Sequence, residues 1–102
     1  MDLAKAIYRL TQRFPREEIY GFTSQLRPAG VSVASNIAEG YGRGTKGEYR
    51  NFLSIARGSA IEIQTQLEIA DELGLGDKPV LERTKELAEE TSRLLWSTAH
   101  KL

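Results

Sequence analysis

The chain contains no cysteine, one histidine and one tryptophan among its 102 residues. Without thiols there is no disulfide framework, no thiolate metal site and no cysteine nucleophile. The lone His100 stands where an exposed polar residue near a helix C-terminus is expected. A second histidine is missing, so a zinc site lacks its usual ligands. No Glu-x-x-His pair is present to build a carboxylate-bridged metal centre in a helical bundle. No serine, histidine and acid can be assembled into a triad, and Glu39, Glu62 and Glu68 read as partners of arginines rather than as an acid and a base. No catalytic residue is therefore assigned, and neither enzymatic activity nor a cofactor is expected.

Long apolar runs are also lacking. Asp2 and Lys5 interrupt the first ten residues, so no signal peptide is expected. No segment approaches the roughly 20 apolar residues that span a bilayer. A soluble chain with no membrane partner follows, and the absence of cysteine fits a reducing cytoplasm. Alternating strand patterns are missing throughout, which points to an all-α fold. The composition, 40% hydrophobic and 27% charged, is that of one globular domain over residues 1–102.

Net charge is zero, yet it is unevenly placed. Residues 1–60 carry nine Lys/Arg against five Asp/Glu, and residues 61–102 carry five against nine. The first part suits an anionic partner, and the same asymmetry suits self-association of opposite faces.

What is present is helical periodicity. Leu3, Ile7, Leu10 and Phe14 form one stripe of an amphipathic helix that Pro15 stops. Pro15-Arg16-Glu17-Glu18 suits a short turn ended by Gly21. A second helix starts between Thr23 and Arg27, capped by Thr23 or Ser24, with Leu26, Gly30, Val33, Ile37 and Tyr41 along one face. Pro28 belongs near its beginning, where a proline forfeits little. Thr45, with Glu48 three residues later, reads as a capping box opening a third helix. That helix repeats Tyr49, Phe52/Leu53, Ala56, Ala60, Ile63, Leu67 and Ala70. Ile55, Ile61 and Ile69 lie off this stripe, and a second apolar side suggests a subunit interface. After Gly74-Leu75-Gly76, Asp77 caps a fourth helix with Pro79 in its first turn. Val80/Leu81, Leu87/Ala88, Leu94/Leu95 and Leu102 give its buried face, with Trp96 at a helix or subunit contact. Four such helices imply an antiparallel up-down-up-down four-helix bundle.

The stretch Arg27–Arg50 carries the remaining signals. Gly30, Ala34 and Ala38 stand four apart beside the short Ser32, Ser35 and Asn36. A helix-interior glycine costs about 1 kcal/mol relative to alanine, so a close backbone approach should compensate. The expected partner is Gly58-Ser59-Ala60, with the hydroxyls and the Asn36 amide bonded across; mere tolerance of glycine at an exposed site is the alternative. Among Gly40, Gly42, Gly44 and Gly47, one should take a left-handed conformation to end the second helix. GRGTKG lacks the Gly-Lys-Ser/Thr ending of a phosphate loop, and no strand precedes it. The free N–H groups at Lys46, Gly47 and Glu48 nevertheless form an anion-binding helix end. Lys46, Arg50 and Arg57 share one face of the third helix, and Arg43 precedes it. These four are the candidate nucleic-acid-binding residues, suited to phosphates and indifferent to base sequence. A solvated basic face is the alternative.

The runs Phe14-Pro15-Arg16-Glu17-Glu18, Gln25-Leu26-Arg27 and Val31-Ser32-Val33 are familiar in combination. With Ser35-Asn36-Ile37-Ala38-Glu39-Gly40, and Ala56-Arg57-Gly58-Ser59 followed by Glu62, they resemble a family of bacterial four-helix bundle proteins. Its members are encoded within intervening sequences of large-subunit ribosomal RNA genes. The resemblance implies a four-helix protomer assembled as a homopentameric ring. It also implies kinship with the accessory protein of diversity-generating retroelements, a basic pentamer that binds nucleic acid and a reverse transcriptase. The sequence departs from the family where Pro28 and Gly30 stand in place of a basic residue and an alanine. Two functions follow: weak binding of RNA or DNA backbone by a non-enzymatic oligomer, or a protein-interaction scaffold that docks a polypeptide such as a reverse transcriptase.

Overall fold

A computed structural model describes residues 2–102 of the chain. Those residues form four α-helices and no strand: α1 (Asp2–Gln12), α2 (Phe22–Gly42), α3 (Lys46–Glu72) and α4 (Lys78–His100). A single 3-10 turn, Arg16–Tyr20, joins α1 to α2 after Pro15. At 27 residues α3 is the longest helix and sets the long dimension of the molecule, 43 Å. The backbones of α2 and α3, α3 and α4, α4 and α1, and α1 and α2 approach each other, and none approaches across a diagonal.

The helical stripes meet in one core. Leu3, Ile7 and Leu10 of α1 and the following Phe14 are buried, as are Leu26 and Val33 of α2. From α3 come Leu53, Ala56, Ala60, Ile63, Leu67 and Ala70, and from α4 Leu81, Ala88 and Leu95. Leu94 stays exposed, and Tyr41 is 76% exposed, because its ring turns outward to meet Tyr49 edge-on at 5.8 Å instead of entering the core.

Local chemistry sets the helix ends. Thr45 caps α3, its Oγ1 accepting from the Glu48 N–H at 3.2 Å. Gly44 has φ +85°, the left-handed position that releases the chain from α2. The start of α2 differs from expectation. It begins at Phe22, and Thr23 and Ser24 lie inside it: Thr23 is buried, and the Ser24 hydroxyl donates to the Gly21 carbonyl. Glu18 reaches back instead, its Oε1 accepting from the Phe22 N–H at 3.4 Å. Pro28 is consequently the seventh helical residue. It and Ser24, whose carbonyl its missing N–H leaves free, are both exposed, so water can take the bond.

Small residues admit neighbours closely, though not where the sequence places them. A Cβ on Gly30 would stand 2.9 Å from Ile7 Cδ1 and 3.3 Å from Ala4 Cα, so Gly30 receives α1 rather than α3. On α3 the comparable position faces Gly40, where a Cβ would fall 2.5 Å from Phe52 Cβ. Gly58 has open space around it, Ala34 is half-buried and Ala38 exposed. From the expected partner run Ser59 does reach across, its hydroxyl 3.3 Å from that of Ser32. The Asn36 amide stays within its own helix, donating to the Ser32 carbonyl at 2.8 Å and to its hydroxyl at 3.1 Å. A second contact between α2 and α3 joins Gln66 Nε2 to Gln25 Oε1 at 3.1 Å.

Candidate nucleic-acid interface

The four basic residues fall into two environments. Arg43, just past α2, is engaged by acids. Its Nε and Nη2 both donate to Glu39 Oε1, at 3.0 and 2.8 Å, and Nη1 lies 4.0 Å from Glu48 Oε1. Its guanidinium also covers the Phe52 ring at 5.1 Å. The charge expected to face a ligand is thus answered inside the protein. The helix end changes in the same sense. The Glu48 N–H is taken by the Thr45 hydroxyl, and the Glu48 carboxylate adds a negative charge to the first turn, so the start of α3 is a weaker anion site than an uncapped one.

Lys46, Arg50 and Arg57 lie further along α3, where four-residue and seven-residue spacings hold them on one side. Among the described residues none of the three has an Asp or Glu carboxylate within 4.0 Å, and Arg50 donates instead to the main-chain oxygen of Leu102 at 2.8 Å. The other charged side chains near the α3–α4 seam are neutralised at its opposite end. There Lys85 meets Asp71 at 3.0 Å and Glu68 at 3.1 Å, and Lys78 meets Asp71 and Glu82. Hydrogen bonds from Lys78 and then from Lys85 hold the Asp71 carboxyl below its ordinary value. Glu68 therefore pairs with a lysine, and the Glu62 carboxylate accepts from Gln66 Nε2 at 3.4 Å; neither meets an arginine.

Arg50 and Arg57 come together at a cavity of about 360 Å³ between the first half of α3 and the last turns of α4. Leu53, Leu95, Ala99 and Leu102 supply its apolar wall. Trp96 and His100, one helical turn apart, complete it as a stacked pair with ring centres 3.7 Å apart and planes 25° from parallel. His100 Nδ1 is bonded to the Trp96 carbonyl at 2.8 Å, which fixes the imidazole against the indole. Arg57 is half-buried, and its Nε is shielded from solvent without a hydrogen-bond partner. Sequence reasoning placed the arginines and missed their aromatic neighbours. The four-residue spacing of Trp96 and His100 puts both on one face of α4, but nothing in the sequence says that this face meets Arg50.

The match to the family model described as 23S rRNA-intervening sequence protein extends over residues 1–97. The chain belongs to that family. The family description gives a genetic location and names no activity. No curated protein matches the chain. Within this family member, no group of three His, Asp or Glu side chains among the described residues could hold a metal ion. No helix among them is long and apolar enough to cross a membrane.

Proposed function

We propose that this chain is a non-enzymatic, oligomeric helical bundle that binds the RNA or DNA backbone through the Lys46, Arg50 and Arg57 face of α3. The observation that carries the reading is the contrast along α3. Glu68 and Asp71, late in the helix, are answered by lysines, whereas Arg50 and Arg57 converge with no Asp or Glu carboxylate in reach. Guanidiniums free of Asp and Glu partners at a surface cavity suit phosphate oxygens, which accept their forked N–H groups well. Arg43 joins this site only by giving up Glu39. The membership of an rRNA-gene-linked family supports a nucleic-acid partner and a cytoplasmic setting.

Helix directions and assembly belong to the same reading. Contacts pair Gln25 with Gln66 and Ser32 with Ser59, so the partner number falls along α3 as it rises along α2. Asp71, late in α3, meets Lys78 at the start of α4, while Arg50, early in α3, meets Leu102. These pairings support an antiparallel up-down-up-down order. Ile55, Ile61 and Ile69 are 47%, 43% and 42% exposed on α3, and Val31 of α2 is similarly open. That apolar surface supports a homo-oligomer, and the family resemblance makes a pentamer the expected number.

Binding to structured RNA measured against salt tests the proposal. Neutralising two or three phosphates per protomer gives a slope of log K on log salt of roughly −2 to −3. Reversing charge in Arg50→Glu/Arg57→Glu should abolish association; no association of the native protein at low ionic strength would overturn the reading. The exposed Leu94 and Trp96 favour a second function, docking of a polypeptide such as a reverse transcriptase. A captured partner that survives nuclease treatment would support that function in place of the first.

A further inference from the structure

We infer that the cavity between α3 and α4 receives one unpaired base of a nucleic-acid strand, which stacks at Trp96 while Arg50 and Arg57 hold the adjoining phosphate. This rests on the nucleic-acid reading above and adds to it a preference for single strands. Three features converge at that place and at no other cavity along α4. The wall is apolar and 360 Å³ is within the range of small-ligand sites, at its low end. Its charged side chains, Arg50 and Arg57, are cations alone. The cavity between α1 and α4 carries Asp2 among its cations, and the one around Lys85 is lined by four glutamates. Finally, Trp96 is 48% exposed although its ring is stacked on His100. A π-surface left open beside two guanidiniums matches a base and its phosphate, since every base offers an aromatic face and aromatic stacking is tolerant of sequence.

The Arg57 side chain strengthens the assignment. Its Nε is removed from water and has no acceptor within the protein, an arrangement that is unfavourable unless a ligand supplies one. A shift of the guanidinium toward a phosphate oxygen at the cavity would give that donor its acceptor. Arg50 donates to the Leu102 carbonyl through Nη2 at 2.8 Å, which leaves its other N–H groups for the same phosphate. Duplexes keep their bases stacked inside and cannot fill the apolar wall, so they can use only the charges.

Trp96 is the only tryptophan, so its fluorescence reports on this cavity without labelling. The full-length protein is titrated with a single-stranded RNA hexamer, with a duplex of the same sequence, and with an abasic sugar–phosphate hexamer. The inference expects the single strand to shift Trp96 emission and to bind about tenfold more tightly than the other two, the scale of one stacked base. Trp96→Ala should remove that preference, so that single strand and duplex bind about equally, and Trp96→Phe should restore most of it. Equal binding of all three ligands, insensitive to Trp96→Ala yet abolished by Arg50→Glu/Arg57→Glu, overturns the base site and preserves the backbone reading. Absence of binding by any ligand at low salt overturns both. The native-protein fluorescence decides the matter even if a Trp96 variant folds poorly.

Discussion

Arg50, at the start of α3, donates an Nη2 proton to the main-chain oxygen of Leu102, 2.8 Å away and 52 residues on in sequence. A flexible side chain thereby secures the end of α4, where main-chain oxygens are left without intrahelical donors. The bond is exposed, so its net contribution is about 1 kcal/mol. Arg50→Ala should speed amide exchange in the last turn of α4 roughly fivefold without moving exchange in the core. Hydrogen exchange read residue by residue checks this. Unchanged rates at Thr98–Lys101 would mean that the last turn is held by its own backbone bonds.

Gly40 and Gly58 should respond oppositely to alanine. At Gly40 the new Cβ would meet Phe52 Cβ at 2.5 Å and Tyr49 Cδ1 at 3.3 Å, with the first contact close to the α3 backbone and unable to swing away. Separating α2 from α3 costs about 1–3 kcal/mol, against the roughly 1 kcal/mol gained in helix propensity, so Gly40→Ala is expected to destabilise. Gly58 has nothing within 4 Å, and Gly58→Ala should stabilise the protomer by about 1 kcal/mol, a rise of roughly 4–8 °C in Tm. Thermal melts check both signs. Sedimentation of Gly58→Ala adds a second measurement, because Gly58 lies on the open face of α3 proposed for assembly and an added methyl there should weaken a packed interface.

How far the sequence carries can be judged from these residues. Periodicity identifies the buried stripes, since burial repeats at helical spacing; Leu3, Ile7, Leu53, Ala60, Leu67 and Leu81 are all inside. Thr45 and Gly44 act as their chemistry predicts, because a cap and a left-handed release depend on neighbours a few residues away. Contacts between helices are a different matter. A spacing of four gives Gly30, Ala34 and Ala38 a common face but does not name the helix that meets it, and Gly30 meets Ala4. The same limit hid the cavity between α3 and α4. Arg57 and Trp96 are brought together by the register of α4 on α3, which depends on the summed packing of many apolar contacts and not on any local motif.

Thr45→Ala should cost about 1 kcal/mol, the usual loss when a side-chain cap is removed. It frees the Glu48 N–H that the hydroxyl satisfies at 3.2 Å and also removes the hydroxyl's contact with the Glu48 carboxylate. Thr45→Ser, which keeps the oxygen, should restore most of the stability. Urea titrations of the three proteins test the assignment. Equal losses in the alanine and serine variants would locate the effect in the methyl group instead of the cap.

The Asp71 network gives the fold a defined pH window. Hydrogen bonds from Lys78, then Lys85, lower the Asp71 carboxyl below its ordinary 3.8, and the two lysines are correspondingly raised above 10.5, each chiefly by its bond to Asp71. A depressed carboxyl contributes stability that is present above the unfolded value and is lost as pH falls through the folded one. The raised lysines contribute below 10.5 and lose it as pH climbs through their folded values. The network is therefore complete between about pH 4 and pH 10 and fails outside on both sides. Asp71→Asn, which keeps the shape without the charge, should lower the urea midpoint at pH 7, and the deficit relative to the native protein should shrink as pH falls below 3.8. A deficit that persists undiminished at pH 2 would assign the role of Asp71 to packing. Because Lys85 and Asp71 are each 22% exposed while Lys78 is 65% exposed, the Lys85→Met variant should show the larger effect of the two lysine substitutions: its ammonium is the less screened and bonds Glu68 as well.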